Sequence, residues 1–189
     1  MTNQIQSLIE ESLHVNRALI DHTETIQQVA DRLIETLRRG GKILLCGNGG
    51  SAADAQHVAA EFVGRFARER KAWPAIALTT NTSTLTAISN DYSFDRVFSR
   101  QVEAFAAKGD VVVGISTSGN SANVLEAMKT AHELGCLTIG FTGQNGGPLK
   151  DTVDVCLCAP SKVTARIQEA HILVWHIVCE LVEQALTAG

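Results

Sequence analysis

Short unbroken apolar runs, each followed by a polar loop and then by a stretch of helical periodicity, constrain this chain more than any other feature. Lys42-Ile43-Leu44-Leu45-Cys46 is the first run, and Ala75-Ile76-Ala77-Leu78, after Pro74, is the second. Asp110-Val111-Val112-Val113-Gly114-Ile115 is the clearest of them. Leu137-Thr138-Ile139-Gly140-Phe141 and Val153-Asp154-Val155-Cys156-Leu157 complete the set. A strand that is apolar on both faces has to be covered on both faces, which is the signature of a parallel sheet between helices. The intervening segments read as helices: from the loop after Cys46 to about Arg68, from Phe94 to Ala107, from Ser121 to Leu134, and from Val163 to Leu186. The expected fold is therefore α/β, a three-layer αβα sandwich around a five-stranded parallel sheet.

Residues 1–40 precede the first run and read as two amphipathic helices. Ile5, Leu8, Ile9, Leu13 and Ile20 mark one apolar face; Ile26, Val29, Ala30, Leu33, Ile34 and Leu37 mark another. Arg38-Arg39-Gly40-Gly41 ends the second helix, with cations in the last turn and glycine beyond it. The chain thus divides into a helical extension, 1–40, and an α/β core, 41–189, within one domain. The helix pair is extra to the sheet unit and is expected to pack against a partner subunit.

The bulk properties exclude several classes. A chain of 189 residues suits one domain with a full core, and 45% hydrophobic against 19% charged residues is the balance of a folded protein. A net charge of −4 offers no footprint for nucleic acid. Arg65, Arg68, Arg70 and Lys71 cluster, but Glu69 interrupts them, and the run reads as a solvated helix end. Five cysteines form no CxxC pair, and all five are expected as small buried hydrophobes, with Cys156 and Cys158 on one face of a strand. No leader pattern is present, and no apolar run approaches the roughly 20 residues of a membrane span. The expected setting is a reducing cytoplasm, with no membrane partner.

Two strand ends carry the chemistry. Gly47-Asn48-Gly49-Gly50-Ser51 follows the first strand, and Ser116-Thr117-Ser118-Gly119-Asn120-Ser121 follows the strand ending at Ile115. In an open parallel sheet, ligands bind beyond the carboxyl ends of the strands. Each loop runs into a helix, so backbone N–H groups face an anion at the positive end of the helix dipole. The hydroxyls add donors without charge. Neither loop has the Gly-Lys-Ser/Thr of a nucleotide P-loop, and Gly47-Asn48-Gly49-Gly50 matches the dinucleotide pattern only loosely. A phosphate held by the second loop is the expected ligand; a plain strand-to-helix turn is the alternative for either loop alone.

The ionisable residues divide between two helices. His57 and Glu61 are four apart, hence on one helix face, where imidazole and carboxylate can ligate one divalent metal or form a simple solvent-facing pair. Gln168, His171 and His176 lie on the C-terminal helix. Val174, Trp175, Ile177 and Val178 surround His176, a setting in which a hydrogen-bonded core histidine is the plainer reading. Gln168 and His176 are about 12 Å apart along a straight helix. One site using both needs a bent helix or two subunits.

In order, Cys46-Gly47-Asn48-Gly49-Gly50-Ser51, His57 and Glu61, Asn90-Asp91, Ile115 to Asn123, Arg166-Ile167-Gln168-Glu169 and His176 resemble the phosphoheptose isomerases. These are sugar-isomerase (SIS) domain enzymes with a flavodoxin-like sheet. The resemblance covers nearly the whole chain. It implies conversion of sedoheptulose 7-phosphate to D-glycero-D-manno-heptose 7-phosphate through an enediol, the first step toward the heptose of lipopolysaccharide and related glycans. It implies a homotetramer with active sites at subunit interfaces and one zinc per subunit, on positions matching His57, Glu61, Gln168 and His176. Substrate-binding positions match Asn48, Gly49, Gly50, Ser51, Glu61, Asn90, Asp91, Ser116, Thr117, Ser118, Ser121 and Gln168. Glu61 matches the base and His176 the acid. A similar SIS group serves as a non-catalytic tetrameric scaffold for the bacterial replication initiator. That group lacks the Glu of the His–Glu pair and has an altered serine loop, whereas Glu61 and an unbroken Ser-Thr-Ser-Gly-Asn-Ser stand here. A sugar-phosphate-sensing regulatory domain is a third reading; no DNA-binding segment accompanies it.

Overall fold

The computed structural model describes residues 2–188. Five parallel strands, β1 (Ile43–Gly47), β2 (Ala75–Ala77), β3 (Val111–Ile115), β4 (Leu137–Gly143) and β5 (Val155–Ala159), form one sheet in the order β2-β1-β3-β4-β5. Alternate side chains enter two cores. Ile43, Leu45, Val111, Val113, Ile139, Phe141 and Leu157 face one, and Leu44, Cys46 and Val112 face the other. The first core is closed by α2 (Thr23–Arg38), α3 (Gly50–Val63) and α8 (Thr164–Thr187). The second is closed by α4 (Thr82–Asp91), α5 (Ser99–Phe105), α6 (Ala122–Glu133) and α7 (Gly147–Thr152). The αβα sandwich with a five-stranded parallel sheet is thus observed. No helix among the described residues is long and apolar enough to cross a membrane.

Several expectations need correction. The second N-terminal helix is not an appendage: Val29, Ala30 and Leu33 of α2 are fully buried against the sheet and α8. The first, α1 (Thr2–Ala18), leaves Ile5, Leu8, Ile9 and Leu13 51–62% exposed, so this apolar face is largely uncovered among the described residues. Helix α3 stops at Val63, not near Arg68. Arg70 is not part of a solvated helix end; its side chain is buried on Glu183. The expected helix from Phe94 is a short 3-10 turn (Phe94–Arg96) and then α5. The last strand starts two residues later than the apolar pattern placed it. Cys46, Cys136 and Cys179 are buried, but Cys156 and Cys158 are half-buried, with Sγ atoms 4.0 Å apart on the edge strand. The alternation places them on one face, and an edge strand has less to cover that face.

Candidate active site

Strand order reverses between β1 and β3, and the loops after these two strands flank that switch point. The loops are tied to each other. Asn48 and Asn123 exchange two amide hydrogen bonds, each 2.9 Å. Gly49 takes φ +56°, a left-handed conformation, at the N-cap of α3. Ser51 is buried in the first turn of that helix.

The serine loop is folded on itself. Ser116 is buried, and its Oγ lies 2.9 Å from Ser121 Oγ and 3.5 Å from Ser118 Oγ. Ser118 Oγ accepts the Asn120 N–H at 3.2 Å. Gly119 has φ +67°, and a Cβ there would fall 1.9 Å from the Gly146 carbonyl oxygen. Ser121 is the N-cap of α6, but its hydroxyl turns toward Ser116 and makes no capping bond. The first N–H groups of α6 are therefore left to whatever occupies the loop. Neither loop contains a lysine or arginine. An anion here is held by dipoles and hydroxyls.

Three side chains converge between α3 and α8, two to three turns beyond the first loop. His57 and Glu61, one turn apart on α3, meet His176 of α8, and the three offer ligand atoms within 4.8 Å of one another. His57 Nε2 is 3.0 Å from Glu61 Oε1 and 3.5 Å from His176 Nε2. Two facing imidazole nitrogens repel unless they share a proton or a cation, and the added carboxylate gives the His₂Glu donor set of a catalytic divalent metal site. These residues fit zinc. Asp54, one turn before His57, has a buried Oδ2 without a hydrogen-bond partner; burial raises its carboxyl pKa and His57 opposes the rise.

The remaining expected site residues are placed as follows. Gln168 is half-buried, with its carboxamide packed over Gly50, so it borders the first loop. Helix α8 is uninterrupted from Thr164 to Thr187, which leaves Gln168 about 12 Å along the axis from His176. Asn90 and Asp91 are exposed at the end of α4 and hydrogen-bonded to each other at 2.9 Å. A groove of about 790 Å³ lies between α2 and the end of α8, lined by Gln27, Ile34, Arg38 and Leu181, and none of these site residues lines it.

Comparison with known proteins identifies the family. The SIS domain profile matches residues 9–143. The phosphoheptose isomerase of Roseiflexus sp. (strain RS-1) is 63% identical over 179 residues, covering 94% of this chain and 91% of its own. The chain belongs to the phosphoheptose isomerase family of SIS-domain enzymes. The phosphoheptose isomerase of Clostridium acetobutylicum is 52% identical, covering 98% of this chain and 96% of its own. Among solved structures, the phosphoheptose isomerase GmhA of Neisseria gonorrhoeae superimposes with a TM-score of 0.92 at 48% identity, covering 97% of this chain and 98% of the other. That of Francisella tularensis gives 0.93 at 37% identity with the same coverage. This SIS-domain chain is accordingly a sugar-phosphate isomerase.

Sequence reasoning missed Glu183 and Phe66, and gave His171 no role. Glu183 is buried on α8 and accepts the N–H groups of Phe66, Ala67 and Arg68 together with Arg70 Nε. Burial acts to raise its carboxyl pKa, but these four donors outweigh it and hold the group below the usual range. Phe66 packs against His176, with ring centroids 5.8 Å apart. His171, fully buried on α8, donates Nε2–H to the Thr142 carbonyl at 3.0 Å and has its pKa pushed down to about 4 by burial. It is the core histidine that the apolar setting had suggested for His176. His176 itself is half-buried and faces His57.

Proposed function

We propose that the enzyme interconverts sedoheptulose 7-phosphate and D-glycero-D-manno-heptose 7-phosphate, through an enediol, as the entry to heptose for lipopolysaccharide or related glycans in the cytoplasm. The convergence of His57, Glu61 and His176 between α8 and the helix that opens from the first switch-point loop carries this reading. The phosphate sits in Ser116–Ser121, on the hydroxyls and the α6 N-terminus. Asn48, Gly49, Gly50, Ser51 and Gln168 border the sugar chain, and Asn90 and Asp91 complete the binding set. Glu61 takes the proton from the carbon next to the carbonyl. Its Oε1 is engaged by His57, so Oε2 is the oxygen left to act as base. His176 gives a proton to the carbonyl oxygen and takes one back from the neighbouring hydroxyl, while Glu61 returns its proton to the former carbonyl carbon, so the isomerisation is proton-neutral. A zinc ion on His57, Glu61 and His176, with Gln168 as the fourth ligand, would polarise the carbonyl when bound.

The eight-residue separation of Gln168 and His176 on the continuous α8 favours a fourth ligand from a neighbouring copy, and the exposed apolar face of α1 gives such a copy a surface. We propose a homotetramer with active sites at its subunit interfaces. Glu61→Gln tests the chemistry. The variant should keep its oligomeric state and fold while losing turnover by about 10²–10⁴-fold, as removal of a general base does. Turnover near the wild-type rate would remove Glu61 as the base.

A further inference from the structure

We propose that the buried Arg70–Glu183 ion pair is a positioning element of the active site, setting the Glu61 backbone from one side and the His176 ring, through Phe66, from the other. The inference rests on the assignment of Glu61 and His176 as reacting groups.

Arg70 comes from the loop after α3 and Glu183 from α8, and their side chains are 4% and 2% exposed. Arg70 Nε donates to Glu183 Oε1 at 3.0 Å, and Nη2 donates to the Glu61 carbonyl at 2.7 Å. Nη1 donates to the Phe62 carbonyl at 2.9 Å, with the Gly64 and Lys71 carbonyls at 3.3 and 3.1 Å. The guanidinium lies 3.7 Å over the Trp73 ring. Glu61 and Phe62 fall in the last turn of α3, where carbonyls have no intrahelical partner. Arg70 thus caps the turn that carries the catalytic carboxylate, and its cation sits at the negative end of that helix. The fork is planar and rigid, so it fixes directions as well as charge.

The other half of the pair reaches His176. Glu183 accepts the Phe66 N–H at 3.1 Å. The Phe66 ring stands 5.8 Å from the His176 ring, and His57 stands 5.1 Å from it. The imidazole is therefore in contact with both Phe66 and His57. Glu183 is seven residues beyond His176, two turns along the same helix face. An apolar contact could fasten α3 to α8 at less desolvation cost. It could not grip the Glu61 carbonyl and the Phe66 amide at once.

Arg70→Lys keeps the charge but loses the fork, and Phe66→Leu keeps the ion pair but removes the wall beside His176. Two readouts decide: Zn²⁺ affinity by chelator competition, and steady-state kinetics with sedoheptulose 7-phosphate. Arg70→Lys should lose about 10–100-fold in Zn²⁺ affinity and a similar factor in kcat, as removal of an outer-shell partner does. KM should stay within about twofold, because the serine loop is untouched. Phe66→Leu should lower kcat by about tenfold with every backbone bond in place. Zn²⁺ affinity and kcat both unchanged in folded Arg70→Lys would reduce the pair to a stabilising contact and overturn the proposal. If Arg70→Lys does not fold, the same result in Phe66→Leu overturns it. A wild-type enzyme inactive on the heptose phosphate would undo the proposed reaction instead, and the Zn²⁺ comparison would still judge the ion pair.

Discussion

Gly50→Ala should raise stability while lowering activity. Gly50 opens α3 and is not among the glycines with positive φ, so alanine suits its backbone. A Cβ there would stand 2.4 Å from Gln168 Nε2, 2.8 Å from Cδ and 3.0 Å from Oε1. Ordinary contact needs about 3.5 Å, so the carboxamide must withdraw by about 1 Å. All three atoms belong to the far end of a flexible side chain, and the backbone need not strain. Alanine is the better helix former by up to about 1 kcal/mol, which raises Tm by at most about 2–4 °C in a domain of this size. If Gln168 serves the site, a 1 Å displacement costs on the order of 10²-fold in turnover, or about 2.7 kcal/mol of transition-state stabilisation. Thermal unfolding and isomerase kinetics on the same preparation check this. Activity within about twofold of wild type at unchanged Tm would show that the placement of Gln168 over Gly50 has no part in catalysis. A fall in Tm would show that the backbone, not Gln168, bears the clash.

The serine loop and the core give three further tests. Gly119→Ala meets both a left-handed φ and the Gly146 carbonyl at 1.9 Å, whereas Gly109→Ala, at φ +95°, meets no atom within 4 Å. Gly109→Ala should cost about 1–2 kcal/mol in denaturant unfolding and Gly119→Ala clearly more, with phosphate binding lost as well; equal costs would refute the clash. Ser121→Ala removes one donor to the phosphate and should raise KM by about tenfold or more with kcat little changed; an unchanged KM would place the phosphate elsewhere. His171 is neutral in the fold, with its pKa lowered to about 4 by burial. The unfolded chain takes up its proton from about pH 6.5 downward, so this contribution is whole above pH 6.5 and is lost between pH 6.5 and 4, on the order of 3 kcal/mol in all. The difference in unfolding free energy between wild type and His171→Phe, followed across that window, should show this slope; a parallel pH dependence in the two proteins would refute it.

Local sequence alone determined the five strands, because a parallel strand buried on both faces must be apolar at every position. It determined the two ligand loops, where strand gives way to glycine and hydroxyl residues, and it placed His57 and Glu61 on one face, because their spacing matches one helical turn. It could not show α4 and α7, which are short and rich in threonine or opened by Gly-Pro. Only the tertiary structure brought His176 to His57 across 119 residues, set Arg70 against Glu183 across 113, and placed the Phe66 ring against His176. It also decided which apolar helix faces are covered in this chain: that of α2 is, that of α1 is not. Periodicity reports the face a helix presents, not what lies against it. Contacts between distant segments depend on strand order and helix packing, and neither leaves a mark on the residues near the contact.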